Sequence, residues 1–407
     1  MDEKHVDSRR PGALSVLVAG GGVAAFEATL ALRALAEDRV SIDLLSADPR
    51  FWYRPLAVVE PFGIGHLHGI EVTELAAAAG ATFTLAALAA VEPARHVAVT
   101  AGGDEFDYDV LLLATGAKPV AAVAGAFTFR GPADSDALRA LLAEVEAGTV
   151  RRLVFAVPGG VAWPLPLYEL ALLTAASLAQ KDFQGVELTL VTPEDVPLGV
   201  FGTEASGAVR RLLEERGIEV LTGRTPVSAE EGRLTLAPDG DVPADRVIAL
   251  PRLRGERIAG LPANPHGFVP TDPHGRVKGV DDVFAAGDIT AFPVKQGGIA
   301  AQQADAAAQS IAARAGAELT PQPFRPILRG LLLTGAAPAY LRSEVAGGAG
   351  DTSTAETEAV WWPPGKIVGR YLSPFLAEYA GVVITPPEGV EAIRVDVAFS
   401  ADERSAP

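Results

Sequence analysis

The sequence predicts an α/β chain of 407 residues: two Rossmann-like, doubly wound domains, one inserted in the other, plus a small C-terminal domain. Three observations predict it. A strand, a glycine turn and a helix open the chain from Ala13; a second series of helices and strands starts near Asp134; a Gly-Asp element with an alanine-rich helix follows near Val283. The expected boundaries are 13–130 and 263–320 for the split first domain, 131–262 for the insertion and 321–407 for the C-terminal domain.

The first unit reads "ALSVLVAGGG", "VAAFEATLALRALAED", "VSIDLLSADP". Short branched-apolar runs flank a segment of helical period, the signature of a parallel βαβ unit. Within "FDYDVLLLATGAKP" the apolar run Val110 to Leu113 predicts a strand covered on both faces and stopped by Thr-Gly. The second series runs helix "DALRALLAEVEAG", strand "RRLVFAV", a proline-rich loop, helix "LPLYELALLTAASLAQ", strand "VELTLVTPED", helix "ASGAVRRLLEERG" and strand "IEVLTG". Turn-rich "GLPANPHGFVPTDPHGRVKGV" leads to strand "DVFAAGD" and helix "GGIAAQQADAAAQSIAARAG". Beyond them, Gly-rich "AGGAGDTSTAETEA" predicts a mobile surface loop, and "VWWPPGKIVGRYLSPFLAEYAG" belongs to the small C-terminal domain.

Composition narrows the chemistry. A net charge of -17 repels phosphate backbones, which argues against nucleic acid as a partner. Cysteine is absent, so disulfides, thiolate metal sites and cysteine nucleophiles are excluded. His66 and His68 form an isolated H-x-H without nearby ligand partners, and no metal site is expected. No apolar run approaches the roughly 18 residues of a membrane span, and "MDEKHVDSRRPG" lacks the order of a signal peptide. A cytoplasmic protein is expected, with peripheral membrane contact left open.

In "VLVAGGGVAAFEA", Gly20, Gly22 and Ala25 stand in G-x-G-x-x-A spacing directly after a strand and before a helix. Gly20 permits the tight turn, Gly22 lets backbone approach a pyrophosphate, and the small Ala25 lets helix and strand pack closely. The anion would sit on the helix N-terminus, where unpaired N–H groups and the dipole favour it. An acidic residue about 20 residues on should take ribose hydroxyls. Ser46 occupies that strand end and Asp48 follows two residues later, so both are candidates.

"VFAAGDITAFPVKQGGIAAQQADAAAQSI", with "GGGVAAFEA" and "LLLATGAKP", resembles the motif series of the two-dinucleotide-binding-domain flavoproteins. This pyridine nucleotide-disulfide oxidoreductase superfamily includes disulfide reductases, type II NADH dehydrogenases and sulfide:quinone oxidoreductases. The resemblance covers most of residues 13 to 315 and implies FAD. In the family the Asp of the Gly-Asp element, here Gly287 and Asp288, binds the ribityl or pyrophosphate part of FAD. The next helix points its N-terminus at the flavin pyrimidine edge, where Lys295, Gln296 and Gly298 fall. Thr115 and Gly116 of "LLLATGAKP" join the implied cofactor set. So does Arg54 of "YRPLAVVEPFG", which looks like the YRPL segment of type II NADH dehydrogenase-like proteins. Reduced flavin is negative near N1 and O2, so a helix N-terminus plus a cation stabilises it; Lys295 is thereby also a catalytic candidate.

The second turn departs from the family. "FAVPGGVAWPLPLYEL" lacks the third glycine of a nicotinamide turn, and Pro164 and Pro166 supply no N–H groups to a pyrophosphate. Glu194 and Asp195 remain as candidate ribose acceptors at the next strand end. The loop is similar to that of flavocytochrome c sulfide dehydrogenases and sulfide:quinone oxidoreductases, in which a Cys-Pro-rich segment leads into Tyr-Glu. Aligned on Tyr168 and Glu169, the redox cysteine falls at about Trp163, so sulfide oxidation through a flavin–cysteine adduct cannot occur. The resemblance makes Glu169 a catalytic candidate: a carboxylate near flavin N5 relays a proton during two-electron transfer.

An FAD-dependent oxidoreductase follows from the resemblance. The leading expectation is electron flow from NAD(P)H through flavin to a quinone-like or protein acceptor. A different small-molecule donor, reached through the proline-rich loop, is the alternative; a flavin-bound interaction or sensor protein without turnover is a third class. The C-terminal aromatics suit domain or homodimer packing better than a lipid surface, because the flanking sequence is acidic.

Overall fold

The computed structural model describes residues 12–65, 69–344, 353–381 and 391–392. His66 and His68 lie outside them.

The opening apolar runs become β1 (Leu14–Ala19) and β2 (Val40–Ser46), joined by α1 (Val23–Ala36). With β3 (Thr82–Leu85) and β4 (Val110–Leu113) they form one side of a parallel sheet. All four residues of β4 are buried, as a strand covered on both faces requires.

The chain then builds a second parallel sheet. Its strands are β5 (Phe127–Thr128), β6 (Arg152–Ala156), β7 (Glu187–Val191), β8 (Ile218–Leu221) and β9 (Arg246–Ala249), in the order β5-β9-β6-β7-β8. Helices α2 (Ser135–Glu146), α3 (Leu165–Gln180) and α4 (Thr203–Glu215) make the crossovers. Afterwards β10 (Val283–Ala285) returns to pair with β4 and completes the first sheet, ordered β10-β4-β1-β2-β3. A domain inserted into another is therefore the observed architecture.

Helix α5 (Gly297–Arg314) lies along α1, and the two share a core of small and branched side chains with β1, β2 and β4. Alanine suits this position because two helices packed against one sheet leave little room between them. The short helix Arg54–Phe62 reaches the other way: Ala57, Val58 and Val59 join the core of the second domain, and Ser135 Oγ donates to Glu60 at 2.8 Å.

The C-terminal part forms an antiparallel sheet of β11 (Ile327–Leu332), β12 (Ala339–Glu344) and β13 (Ser353–Glu356). Of the expected loop "AGGAGDTSTAETEA", residues 346–352 lie outside the described residues, and strand β13 corrects the expectation over Ser353–Glu356. Its pairing with β12 supplies the ladder, and Ser353 Oγ donates to Phe201 O and accepts from Ala205 N, fixing it to the second domain. Trp361 is fully buried, edge-on to Tyr340 at 5.0 Å, with Nε1 donating to Gly365 O. The chain then runs back across α1 into α6 (Leu372–Tyr379), so this aromatic segment is largely packing. No helix among the described residues is long and apolar enough to cross a membrane.

Candidate functional site

A cleft of about 520 Å³ opens at the C-terminal ends of β1, β2 and β4, extends to the second domain and is closed on one side by the C-terminal segment. Open parallel sheets bind ligands at this end.

The first glycine turn forms its floor. Gly20 has φ +142°, and a Cβ there would overlap the backbone of Ala114. Gly22 has φ -104°, which any residue adopts, and a Cβ would meet nothing within 4 Å. Its hydrogen therefore keeps the cleft open rather than relieving backbone strain. Gly22 also N-caps α1 without a side-chain hydrogen bond, so the first-turn N–H groups of α1 are left for an anion. Ala25 is fully buried beneath the turn, where close packing of helix on strand needs a small residue.

The strand ends add polar groups. Ser46 Oγ donates to Asp48 O at 2.8 Å and Asp48 Oδ1 accepts from Arg50 N at 2.9 Å, so both side chains shape their own turn while lining the cleft. Thr115 and Gly116, the latter with φ +74°, line it after β4. Gly287 has φ +80° and stands where a Cβ would come within 3.0 Å of Ala24. Asp288 faces the cleft near Lys295 and Arg54; burial pushes its carboxyl upward and the two cations draw it back down.

The start of α5 differs in detail from the expectation. Lys295 Nζ donates to Thr290 O and stands 4.0 Å from the centroid of Phe268, and burial pushes the amine down to about 8 against the pull of Asp288. The amide of Gln296 is occupied structurally: it accepts from Ile299 N at 2.9 Å, capping α5, and donates to Arg329 O at 3.0 Å. Gly297 lines the cleft, whereas Gly298 lies against the Gln296 side chain.

Glu169, on the first turns of α3, is fully buried and meets a residue that sequence reasoning missed. Lys366 Nζ donates to both its carboxylate oxygens, at 2.7 and 2.6 Å, and Leu333 N donates at 2.9 Å. Burial raises the Glu169 carboxyl, and the Lys366 charge opposes it. The only signal for Lys366 in the sequence is a lone cation inside "VWWPPGKIVG".

The second turn is closed in several ways. Arg252 Nε donates to Gly159 O at 2.9 Å, and a Cβ on Gly159 would come within 3.1 Å of Thr225. Pro164 N-caps α3, Pro166 lies in its first turn, and Leu167 N already bonds Pro164 O at 2.9 Å. Glu194 Oε2 accepts from Tyr168 Oη at 2.7 Å and Thr192 Oγ1 at 2.9 Å, which ties this carboxylate to its own domain; Asp195 stays exposed. Trp163 lines the cleft and packs edge-on to Phe201 at 5.5 Å. Among the described residues no cluster of His, Cys, Asp or Glu is placed to hold a metal.

The model of the pyridine nucleotide-disulphide oxidoreductase family matches residues 14–310. The chain belongs to this family. It is 27% identical over 305 residues to a sulfide-quinone reductase of Aquifex aeolicus (strain VF5), covering 68% of this chain and 69% of that protein. The crystal structure of the sulfide:quinone oxidoreductase from Aquifex aeolicus superposes with a TM-score of 0.78 at 20% identity, over 90% of each chain. A ferredoxin reductase from Rhodopseudomonas palustris gives 0.63 at 20% identity, over 82% of this chain and 83% of that one. The protein is accordingly an FAD-dependent oxidoreductase. Its cleft fits that cofactor: Gly22 leaves open space before uncapped N–H groups, as a pyrophosphate requires.

Proposed function

We propose that this oxidoreductase takes electrons from a small donor other than NAD(P)H and passes them to a quinone-like acceptor. The second turn carries this reading. With Gly159 O held by Arg252, two prolines at the start of α3 and Glu194 hydrogen-bonded internally, it offers a dinucleotide no bare helix N-terminus and, of the two strand-end carboxylates, only the exposed Asp195. The acceptor class is inferred from similarity to the sulfide-quinone reductase; the donor differs, since the chain has no cysteine to carry sulfur.

Bound FAD supplies a two-electron carrier that is reduced by one substrate and reoxidised by another. In this reading the turn 20–23 and the α1 N-terminus hold its pyrophosphate, Ser46 and Asp48 its adenosine ribose, and Asp288 with Arg54 the central part of the chain. Thr115 and Gly116 border the same path. Lys295 places a cation at the start of α5, and the Gln296 cap fixes the backbone of Gly297 and Gly298 there. Glu169 and Lys366 hold a proton between them at the wall of the cleft, out of water, available to a substrate that gains or loses one with its electrons. Trp163 and Pro166 line the cleft on that side.

An anaerobic visible spectrum tests the reading. The flavin band near roughly 450 nm is expected to persist after stoichiometric NADH and then NADPH, and to bleach with dithionite. Rapid bleaching by either nucleotide would replace this reading with the NAD(P)H one. A protein that neither contains nor takes up FAD would overturn both.

A further inference from the structure

Helix α1 carries a glutamate within its largely apolar buried stretch. Glu27 is fully buried, and its two oxygens accept from Tyr371 N at 2.9 Å and Leu372 N at 2.7 Å. It thus caps α6, whose own N-cap Tyr371 makes no side-chain cap. A carboxylate at a helix start is favourable, but this one comes from the far end of the chain. Asp305 of α5, half-buried, meets Glu27 in side-chain hydrogen-bonding contact, and among the described residues its buried Oδ1 has no partner.

Two carboxyl groups in hydrogen-bonding contact, one fully buried and the other half-buried, do not both ionise readily, because one must carry the hydrogen that joins them. Burial raises both, and Asp305 is raised further by Glu27 beside it. The groups facing the pair are Glu27 on α1, Asp305 on α5, and Arg370 and Tyr371 on the C-terminal segment. Arg370 is exposed and draws Asp305 down only in part; the Tyr371 hydroxyl is pushed up to about 12 by burial.

The docked segment enters the cleft. Ile367 N donates to Tyr53 Oη at 2.8 Å, Ile367 and Lys366 line the wall, and Lys366 holds Glu169. We propose that the segment 366–379 is a proton-controlled strap over the cleft, closed when Glu27 and Asp305 share a proton and loosened when that proton is lost. Closing takes up one proton, so the ratio of open to closed chains rises up to tenfold per pH unit until the docked pair ionises, and levels off above that point. Opening removes Lys366 from Glu169 and uncovers one side of the cleft.

Hydrogen–deuterium exchange of the full chain between pH 6 and 9, corrected for intrinsic exchange, tests this without turnover. In the wild type, protection of peptides spanning 366–379 is expected to fall with rising pH by up to tenfold per unit, while peptides of β1 and β4 hold theirs. Asp305→Asn keeps a hydrogen-bond donor toward Glu27 and does not titrate, so its protection is expected to be flat. Flat protection in the wild type, or an unchanged pH dependence in the variant, overturns the strap. Should the variant not fold, tryptic cleavage after the buried Lys366 in native wild type decides alone, with urea-unfolded chain cleaved in parallel at each pH. Cleavage of the native chain must accelerate with pH more steeply than cleavage of the unfolded chain, and a constant ratio of the two rates refutes the proposal.

Discussion

Replacing Lys366 with Met leaves Glu169 buried without its counter-ion. The carboxylate has zero exposure and, among the described residues, retains only the Leu333 N–H, whereas Lys366 supplied two bonds of 2.6 and 2.7 Å. Breaking a buried pair from one side costs about 3 to 5 kcal/mol. For a cooperative unit of domain size, at roughly 2 to 4 °C per kcal/mol, this lowers the apparent Tm by about 6 to 20 °C. The cost depends on pH. Glu169 is already raised by burial, and losing Lys366 raises it further, so the folded variant binds a proton that the unfolded chain releases. Stability must then fall as pH rises through the window between the ordinary glutamate value and the raised one, by up to about 1.4 kcal/mol per pH unit. Melts followed by circular dichroism at pH 6 and 8.5 provide the assay, alongside the double variant Glu169→Gln/Lys366→Met, which holds no charge at either position. The single variant is expected to melt well below the double variant at pH 8.5 and to approach it at pH 6. Equal melting of single and double variants at both pH values would refute the argument that an uncompensated charge dominates.

Gly22→Val is expected to fold normally, because its φ is ordinary, yet to lose FAD affinity by at least about tenfold, or 1.4 kcal/mol. Fluorescence titration of the apoprotein with FAD checks it, and wild-type affinity would contradict the role given to that open space. Gly20→Ala, colliding with Ala114 at a left-handed φ, should instead fail as soluble protein, and a well-folded product would contradict the close approach. In a spectrum of ε-carbon-labelled lysine, one resonance should titrate near pH about 8 and vanish in Lys295→Met. Below that pH the amine is charged and above it neutral; a set titrating uniformly near 10.5 would disprove the burial argument.

What the sequence made legible was local. The strand–Gly–helix order around Gly20 and Gly22 and the fully apolar Val110 to Leu113 each carry their pattern within a short window, so periodicity and turn chemistry suffice. Ser353–Glu356 reads as a loop because its polar residues follow a glycine-rich run, and only pairing with Ala339–Glu344 makes it a strand. Glu169 could be singled out from its loop, but its partner Lys366 lies 197 positions away and no spacing rule joins them. Glu27 was invisible for the same reason: its partners are backbone N–H groups of residues 371 and 372, which carry no side-chain signal. Glu194 is a strand-end carboxylate whose position suggests a ligand, and its Oε2 bonds to Tyr168 and Thr192 could not be read from spacing either.

The interruption of the first sheet has a consequence during synthesis. Val283–Ala285 pairs with Val110–Leu113 across an insertion, so β4 leaves the ribosome as an open edge and waits for its neighbour. At 5 to 20 residues per second, the roughly 170 intervening residues take on the order of ten to thirty seconds. An apolar edge exposed that long is a template for pairing with another nascent chain. The second sheet has all its strands within the intervening stretch and can complete itself first, leaving the earlier sheet as the step at which a slowed ribosome or a premature stop would produce aggregate rather than enzyme.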